Sequence, residues 1–187
     1  MIISRTPFRM SFVGGGTDLR AFYQKEDGKV LSAAIDKYVY VAVKRQLDIV
    51  DFKYRVGWSK TEFRNSIDTI EHPIVREALK LMEIDFPLEV TTFADVPANT
   101  GLGSSSAFAV GLLHALFALK GEMVKKSTLA SMAAHIEVDI LERNIGNGAF
   151  RKWRTRTFAS AKPPSAFRSA RIAEAARRIA LLTSFAR

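Results

Sequence analysis

The segment Pro97-Ala98-Asn99-Thr100-Gly101-Leu102-Gly103-Ser104-Ser105-Ser106-Ala107 constrains this chain more than any other stretch of it. It leads from a strand-like apolar run into Ala107–Leu119, an apolar run interrupted only by His114, so it turns a strand into a buried helix. Two glycines one residue apart permit positive φ and let a ligand come close to the backbone. Three serines then fall on the first helical turn, where N–H groups have no intrahelical acceptor. Free N–H groups, hydroxyls and the positive end of a helix together suit a phosphate. A helix cap on a tight turn is the plainer alternative, and that needs only one serine and one glycine. No lysine follows the glycines, so this is not the G-x-x-x-x-G-K-[ST] loop.

The surrounding pattern places strands first and helices later. Ile2–Thr6 and Arg9–Val13 read as two short strands parted by Pro7, and Gly14–Gly16 stops the second. Val30–Ile35 and Tyr38–Lys44 read as two more, with Val39 and Val41 alternating against Tyr38 and Tyr40. Asp51–Gly57 puts Phe52, Tyr54 and Val56 on one face, and Phe86–Phe93 is a further strand. A helix is predicted after His72, with Pro73 in its first turn and Ile74, Ala78, Leu81 and Met82 inward. Ser104–Lys120 and Ser127–Leu141 are the two long helical segments. Without regular βαβ alternation, this order predicts an α+β domain.

Charge divides the chain. The net charge is +9, yet residues 1–150 carry as many acids as bases. The whole excess falls in 151–187, where ten basic residues face one acid, Glu174. The first part therefore offers no basic face by composition, which argues against an RNA-binding protein. Ser169–Phe185 can be drawn as a basic amphipathic helix suited to a membrane surface or RNA; a non-native C-terminus is the alternative reading. With no cysteine, disulfides and thiolate chemistry are excluded, and three histidines make a histidine-built metal centre a poor fit. The start, Met1-Ile2-Ile3-Ser4-Arg5, lacks a secretory pattern, and no apolar run reaches bilayer length, so a cytoplasmic location is expected. His114 and the tryptophans and phenylalanines (Trp58 and Trp153 among them) are expected to pack in the core or tail.

Pro97-x-x-x-Gly101-Leu102-Gly103-Ser104-Ser105-Ser106-Ala107 is similar to the ATP-binding motif of the GHMP small-molecule kinases, P-x-x-x-G-L-G-S-S-A-A, with Ser106 the one departure. Independently, Arg5-Thr6-Pro7-Phe8-Arg9-Met10-Ser11-Phe12-Val13-Gly14-Gly15-Gly16-Thr17-Asp18-Leu19 resembles the opening of the sugar-kinase branch. Its Gly-Gly-Gly-Thr-Asp is most like heptose 7-phosphate kinases and related fucokinases. The resemblance covers residues 1 to about 146. It implies a first lobe with the ribosomal protein S5 domain 2-like α+β fold, and transfer of the ATP γ-phosphoryl group to a sugar or sugar-phosphate hydroxyl with Mg²⁺.

By the same resemblance, Pro97, Gly101, Leu102, Gly103, Ser104, Ser105 and Ser106 hold ATP, and Ser105 with Glu137 holds Mg²⁺. Glu137 can equally be read as part of a solvated helix face with Asp139 and Glu142. Arg9 is placed at the reacting hydroxyl, where a guanidinium stabilises developing negative charge. Gly15, Gly16, Thr17 and Asp18 are placed at the sugar, whose hydroxyls a carboxylate accepts from. The family continues after the glutamate-bearing helix with P-I-G-K-Q-D-Q, whose aspartate serves the reacting hydroxyl. Here Gly148 or Ala149 stands at that spacing, and no aspartate follows Asp139. The expected organisation is therefore a kinase-like unit at 1–146 and a basic, non-family tail at 147–187. The rival functional readings are an ATP-binding remnant without catalysis and an RNA-binding protein of the same fold.

Overall fold

The computed structural model describes residues 1–143 apart from Asp18, Asp48 and Asn99; the side chains of Arg20 and Tyr23 also lie outside the description. Five strands form one sheet in the order β1-β2-β5-β3-β4. They are β1 (Ile2–Val13), β2 (Leu31–Arg45), β3 (Tyr54–Gly57), β4 (Thr61–Arg64) and β5 (Leu88–Ala94). All neighbours are antiparallel except β3 and β5. That parallel pair needs a crossover, which β4 and helix α2 (Pro73–Leu81) supply. After β5 come α3 (Ser104–Leu119), α4 (Lys126–Ala134) and a π-helical turn at His135–Ile140, and a single turn, α1 (Arg20–Tyr23), lies between β1 and β2. Strands lead and helices follow, so the α+β class holds.

Alternation decides which face of the sheet is covered. Val39, Val41 and Val43 of β2 and Leu88 and Val90 of β5 are buried, whereas Ile3 and Phe93 on the opposite face are exposed. Buried residues of α2 and α3 join the covered face in one core with Leu129, Met132 and Ile136. Alpha3 lies against β1 and β2 at Gly111, where a Cβ would sit 2.8 Å from Thr6 Oγ1 and 3.2 Å from Ser4 Oγ. Ser4 Oγ donates to the Gly111 carbonyl at 2.7 Å, so this close approach also satisfies a buried hydroxyl. The helix thereby runs over the sheet with its serine-bearing start set against β1.

Several expectations need correction. Ile2–Thr6 and Arg9–Val13 are one strand, not two. Beta1 is an edge strand, so the missing Pro7 N–H breaks no inner ladder, and the register shifts between Pro7 and Arg9. Residues 31–45 likewise form a single long strand, and β4 was not foreseen. The helix expected at Ser127–Leu141 becomes α4 plus the π-helical turn. His114 is on the exposed side of α3, not in the core. Phe12, Phe63 and Phe93 are exposed, and Trp58 is only part-covered, at 37% exposure. Trp153, the predicted helix at Ser169–Phe185 and the boundary near Gly146 lie outside the described residues. No described helix is long and apolar enough to cross a membrane.

Candidate functional site

The turn before α3 adopts the backbone that its glycines permit. Gly101 has φ 74° and Gly103 φ 75°, both left-handed, and Gly103 caps the helix with no side-chain hydrogen bond. The first helical bond, Ala107 N–H to the Gly103 carbonyl, is 3.0 Å. The N–H groups of Ser104, Ser105 and Ser106 therefore precede the intrahelical ladder and point out of the helix start. The cap is therefore the Gly103 backbone and not a serine side chain.

Beta1 meets this turn. The Arg9 N–H donates to the Leu102 carbonyl at 3.3 Å. Its side chain runs across Gly103, where a Cβ would lie 3.4 Å from Arg9 Nε. Arg9 Nη1 donates to Ser11 Oγ at 2.7 Å, while Nε is buried with no partner among the described residues. The structure thus brings Arg9 to the glycines of a motif more than ninety positions away.

A second convergence comes from the π-helical turn. The extra residue per turn at His135–Ile140 carries Glu137 to full burial, at 0% exposure, facing α3. Ser105 Oγ donates to Glu137 Oε2 at 2.8 Å, and Glu137 Oε1 is buried without a partner among the described residues. Burial pushes the Glu137 carboxyl up; the Ser105 hydrogen bond, the Arg143 charge and Ser106 act against that rise. The solvated-face reading of Glu137 is therefore overturned, since a buried acid needs a reason. Asp139 does lie at the surface, paired with His135 Nδ1 at 2.9 Å.

Arg143 was not singled out from the sequence, and His72 only as the residue that precedes a helix. Arg143 Nη1 donates to Ser105 Oγ at 2.9 Å, and its N–H donates to the Glu137 carbonyl at 3.0 Å. His72 caps α2, Nδ1 accepting from the Val75 N–H at 3.3 Å, with its ring between Trp58 and Phe108. Its pKa is lowered to about 4, first by burial and also by the Arg143 charge, against the pull of Glu62. Only the arginine's basic type near a helix end could have hinted at its role, and that signal is weak.

The Gly15–Thr17 turn is built separately. Gly14 has φ 87° and Gly16 φ 99°, and a Cβ on Gly14 would strike the Lys29 carbonyl at 1.9 Å. Thr17 Oγ1 donates to the Gly14 carbonyl at 2.8 Å, so its hydroxyl closes the turn. Space beside Gly15 and Gly16 is open. Four residues of β1, Met10–Val13, separate Arg9 from Gly14. Asp18 lies outside the described residues. Pro97 stays upstream of the turn, its carbonyl accepting from Thr100 Oγ1 at 3.3 Å.

The donor set fits a hard divalent cation. It offers one orphaned carboxylate oxygen and one hydroxyl, beside N–H groups that suit phosphate oxygens. No group of three or more His, Asp or Glu that could hold a metal occurs among the described residues. Mg²⁺ does not need one, because it keeps several waters and takes the rest of its ligands from phosphates.

Residues 73–149 match the family model described as the GHMP kinases N terminal domain. The chain is 30% identical over 148 residues to D-glycero-alpha-D-manno-heptose 7-phosphate kinase of Campylobacter jejuni, covering 73% of this chain and 43% of that one. It is 29% identical over 110 residues to mevalonate kinase of Methanothermobacter thermautotrophicus, covering 59% and 36%. The chain spans less than half the length of these curated relatives. In fold it is similar to a D-glycero-D-manno-heptose 1-phosphate kinase from Bacteriodes thetaiotaomicron, with a TM-score of 0.67 at 21% identity over 79% of this chain and 51% of that one. The α+β arrangement is that of the N-terminal lobe of these kinases.

Proposed function

We propose, from the GHMP-kinase N-terminal domain match at residues 73–149, that this chain binds ATP for phosphoryl transfer to a sugar or sugar-phosphate hydroxyl. The single observation that carries the reading is the buried Ser105–Glu137 pair at the open start of α3. A helix cap requires neither the carboxylate nor its burial. The chain's similarity to a heptose 7-phosphate kinase supports a phosphorylated heptose as the acceptor class.

In this reading the N–H groups of the Gly101–Ser106 turn hold phosphate oxygens, which substitutes fixed dipoles for water. Ser105 Oγ and Glu137 hold Mg²⁺, which when bound neutralises phosphate charge. Arg9, lying over Gly103, holds positive charge near the transferred group, and its buried Nε is the donor that a ligand oxygen would satisfy. Gly15, Gly16 and Asp18 take the acceptor sugar, with Thr17 shaping their turn through its own hydrogen bond. The cytoplasm, where ATP is abundant, is the compartment this implies.

Turnover by the chain as written is expected to be low. Gly148 or Ala149 stands where the family resemblance implies an aspartate, and neither can accept a proton. On this reading residues 1–146 form the nucleotide-binding unit and 147–187 a separate basic segment. A coupled assay of ADP release with heptose and hexose phosphates tests the proposal. ATP-dependent turnover stimulated by a sugar phosphate supports it. Saturable ATP binding with no turnover on any acceptor favours the binding remnant instead.

A further inference from the structure

The catalytic reading leaves one charged group at the seat without a task. Arg143 follows the π-helical turn directly, and its position is set by backbone geometry. The Leu141 N–H returns to the Ile136 carbonyl, Glu142 adopts φ 48°, and the Arg143 N–H returns to the Glu137 carbonyl. That left-handed step turns the chain back, so the guanidinium reaches Ser105 Oγ at 2.9 Å while the same hydroxyl donates to Glu137 Oε2. Arg143, Ser105 and Glu137 thus form one chain of hydrogen bonds with a guanidinium at one end and a buried carboxyl group at the other. A guanidinium carries five N–H donors, and the bond to Ser105 uses one.

We propose that Arg143 is the resident cation of this seat, donating to nucleotide phosphates and opposing a divalent cation that arrives without nucleotide. The proposal rests on the nucleotide-binding reading above and adds to it an order of binding. A fixed positive charge attracts a polyanion and repels a free cation at the same place, so its removal must move the two affinities in opposite directions. A residue that only supports the fold would weaken both.

The test uses the full chain and two variants, Arg143→Gln and Arg143→Lys, with circular dichroism to establish that each is folded. Free Mn²⁺ is titrated by electron paramagnetic resonance, and ATP is titrated by calorimetry in the presence of a chelator. Arg143→Gln is expected to bind Mn²⁺ several-fold more tightly and metal-free ATP about tenfold more weakly, the size of one charge-assisted hydrogen bond. Arg143→Lys, which keeps the charge, is expected to stay near the original chain in Mn²⁺ affinity. Unchanged Mn²⁺ affinity in Arg143→Gln, or loss of both affinities together, overturns the proposal. Absence of ATP binding by the original chain would refute the nucleotide reading, while the Mn²⁺ titration would still decide whether Arg143 acts as the local charge.

Discussion

His72 gives the most quantitative test of the site's electrostatics. Its ring lies edge-on to Trp58 at 4.8 Å and tilted against Phe108 at 5.0 Å, and its Nδ1 serves as the cap of α2. Burial lowers its pKa from 6.5 to about 4. Between those values the unfolded chain binds a proton that the folded chain refuses. Stability is therefore fully present above about pH 6.5 and is lost as pH falls toward 4. A gap of that size corresponds to about 3 kcal/mol. Protonation would also place a donor where the cap needs an acceptor. Asparagine can cap the helix without titrating, so His72→Asn removes the acid sensitivity and leaves a packing defect. That defect is expected to cost about 1–2 kcal/mol at pH 7. The two stability curves should consequently cross between pH 6.5 and 4, the variant being the more stable on the acid side. Urea unfolding followed by far-ultraviolet circular dichroism at half-unit pH steps measures this. Glu137 titrates in both proteins and cancels in the difference. Parallel curves would refute the claim that His72 is held neutral by burial.

Other consequences follow from neighbouring groups. Because the Glu137 pKa is raised by burial, the folded state holds its proton longer than the unfolded chain, so this group's contribution to stability is present at low pH and declines as pH rises above 4.5. Glu137→Gln should flatten that decline and abolish the rise in melting temperature expected with Mg²⁺ and ATP, both readable by thermal denaturation. Gly103→Ala forces a side chain into φ 75° and toward Arg9 Nε, which should cost about 1–2 kcal/mol in urea unfolding and weaken ATP binding measured by calorimetry. Gly111→Ala puts a Cβ 2.8 Å from Thr6 Oγ1, so about 2 kcal/mol of stability should be lost while the ATP affinity of the folded fraction is unchanged.

Local chemistry was legible in the sequence wherever backbone geometry demanded a particular residue. Gly101 and Gly103 announced left-handed φ, and His72-Pro73 announced the start of α2. Strand boundaries were less legible. Pro7 reads as a break, but on an edge strand its missing donor faces no inner neighbour. Beta4 has four residues and only Glu62 buried among them, where it accepts from the Glu71 and His72 N–H groups, so hydrophobic periodicity could not reveal it. His114 sits within an apolar run, yet the helical period turns it to the exposed side. The site itself was readable as a motif and a distant acid, because the resemblance named Ser105 and Glu137. The π-helical turn that buries Glu137 was not readable, since one extra residue per turn leaves no composition signal. Arg143 depends on that turn and on the left-handed Glu142, so its role emerges only once the backbone is known.

Calorimetric titration of the folded chain with ATP, repeated with Mg²⁺ and on Ser105→Ala, tests the central claim most directly. Saturable binding of one nucleotide, strengthened by Mg²⁺ in the original chain and not in the variant, is the expected result. Folded protein that takes up no ATP, or Mg²⁺ enhancement that survives loss of the Ser105 hydroxyl, would contradict the assignment of this helix start as a nucleotide and metal seat.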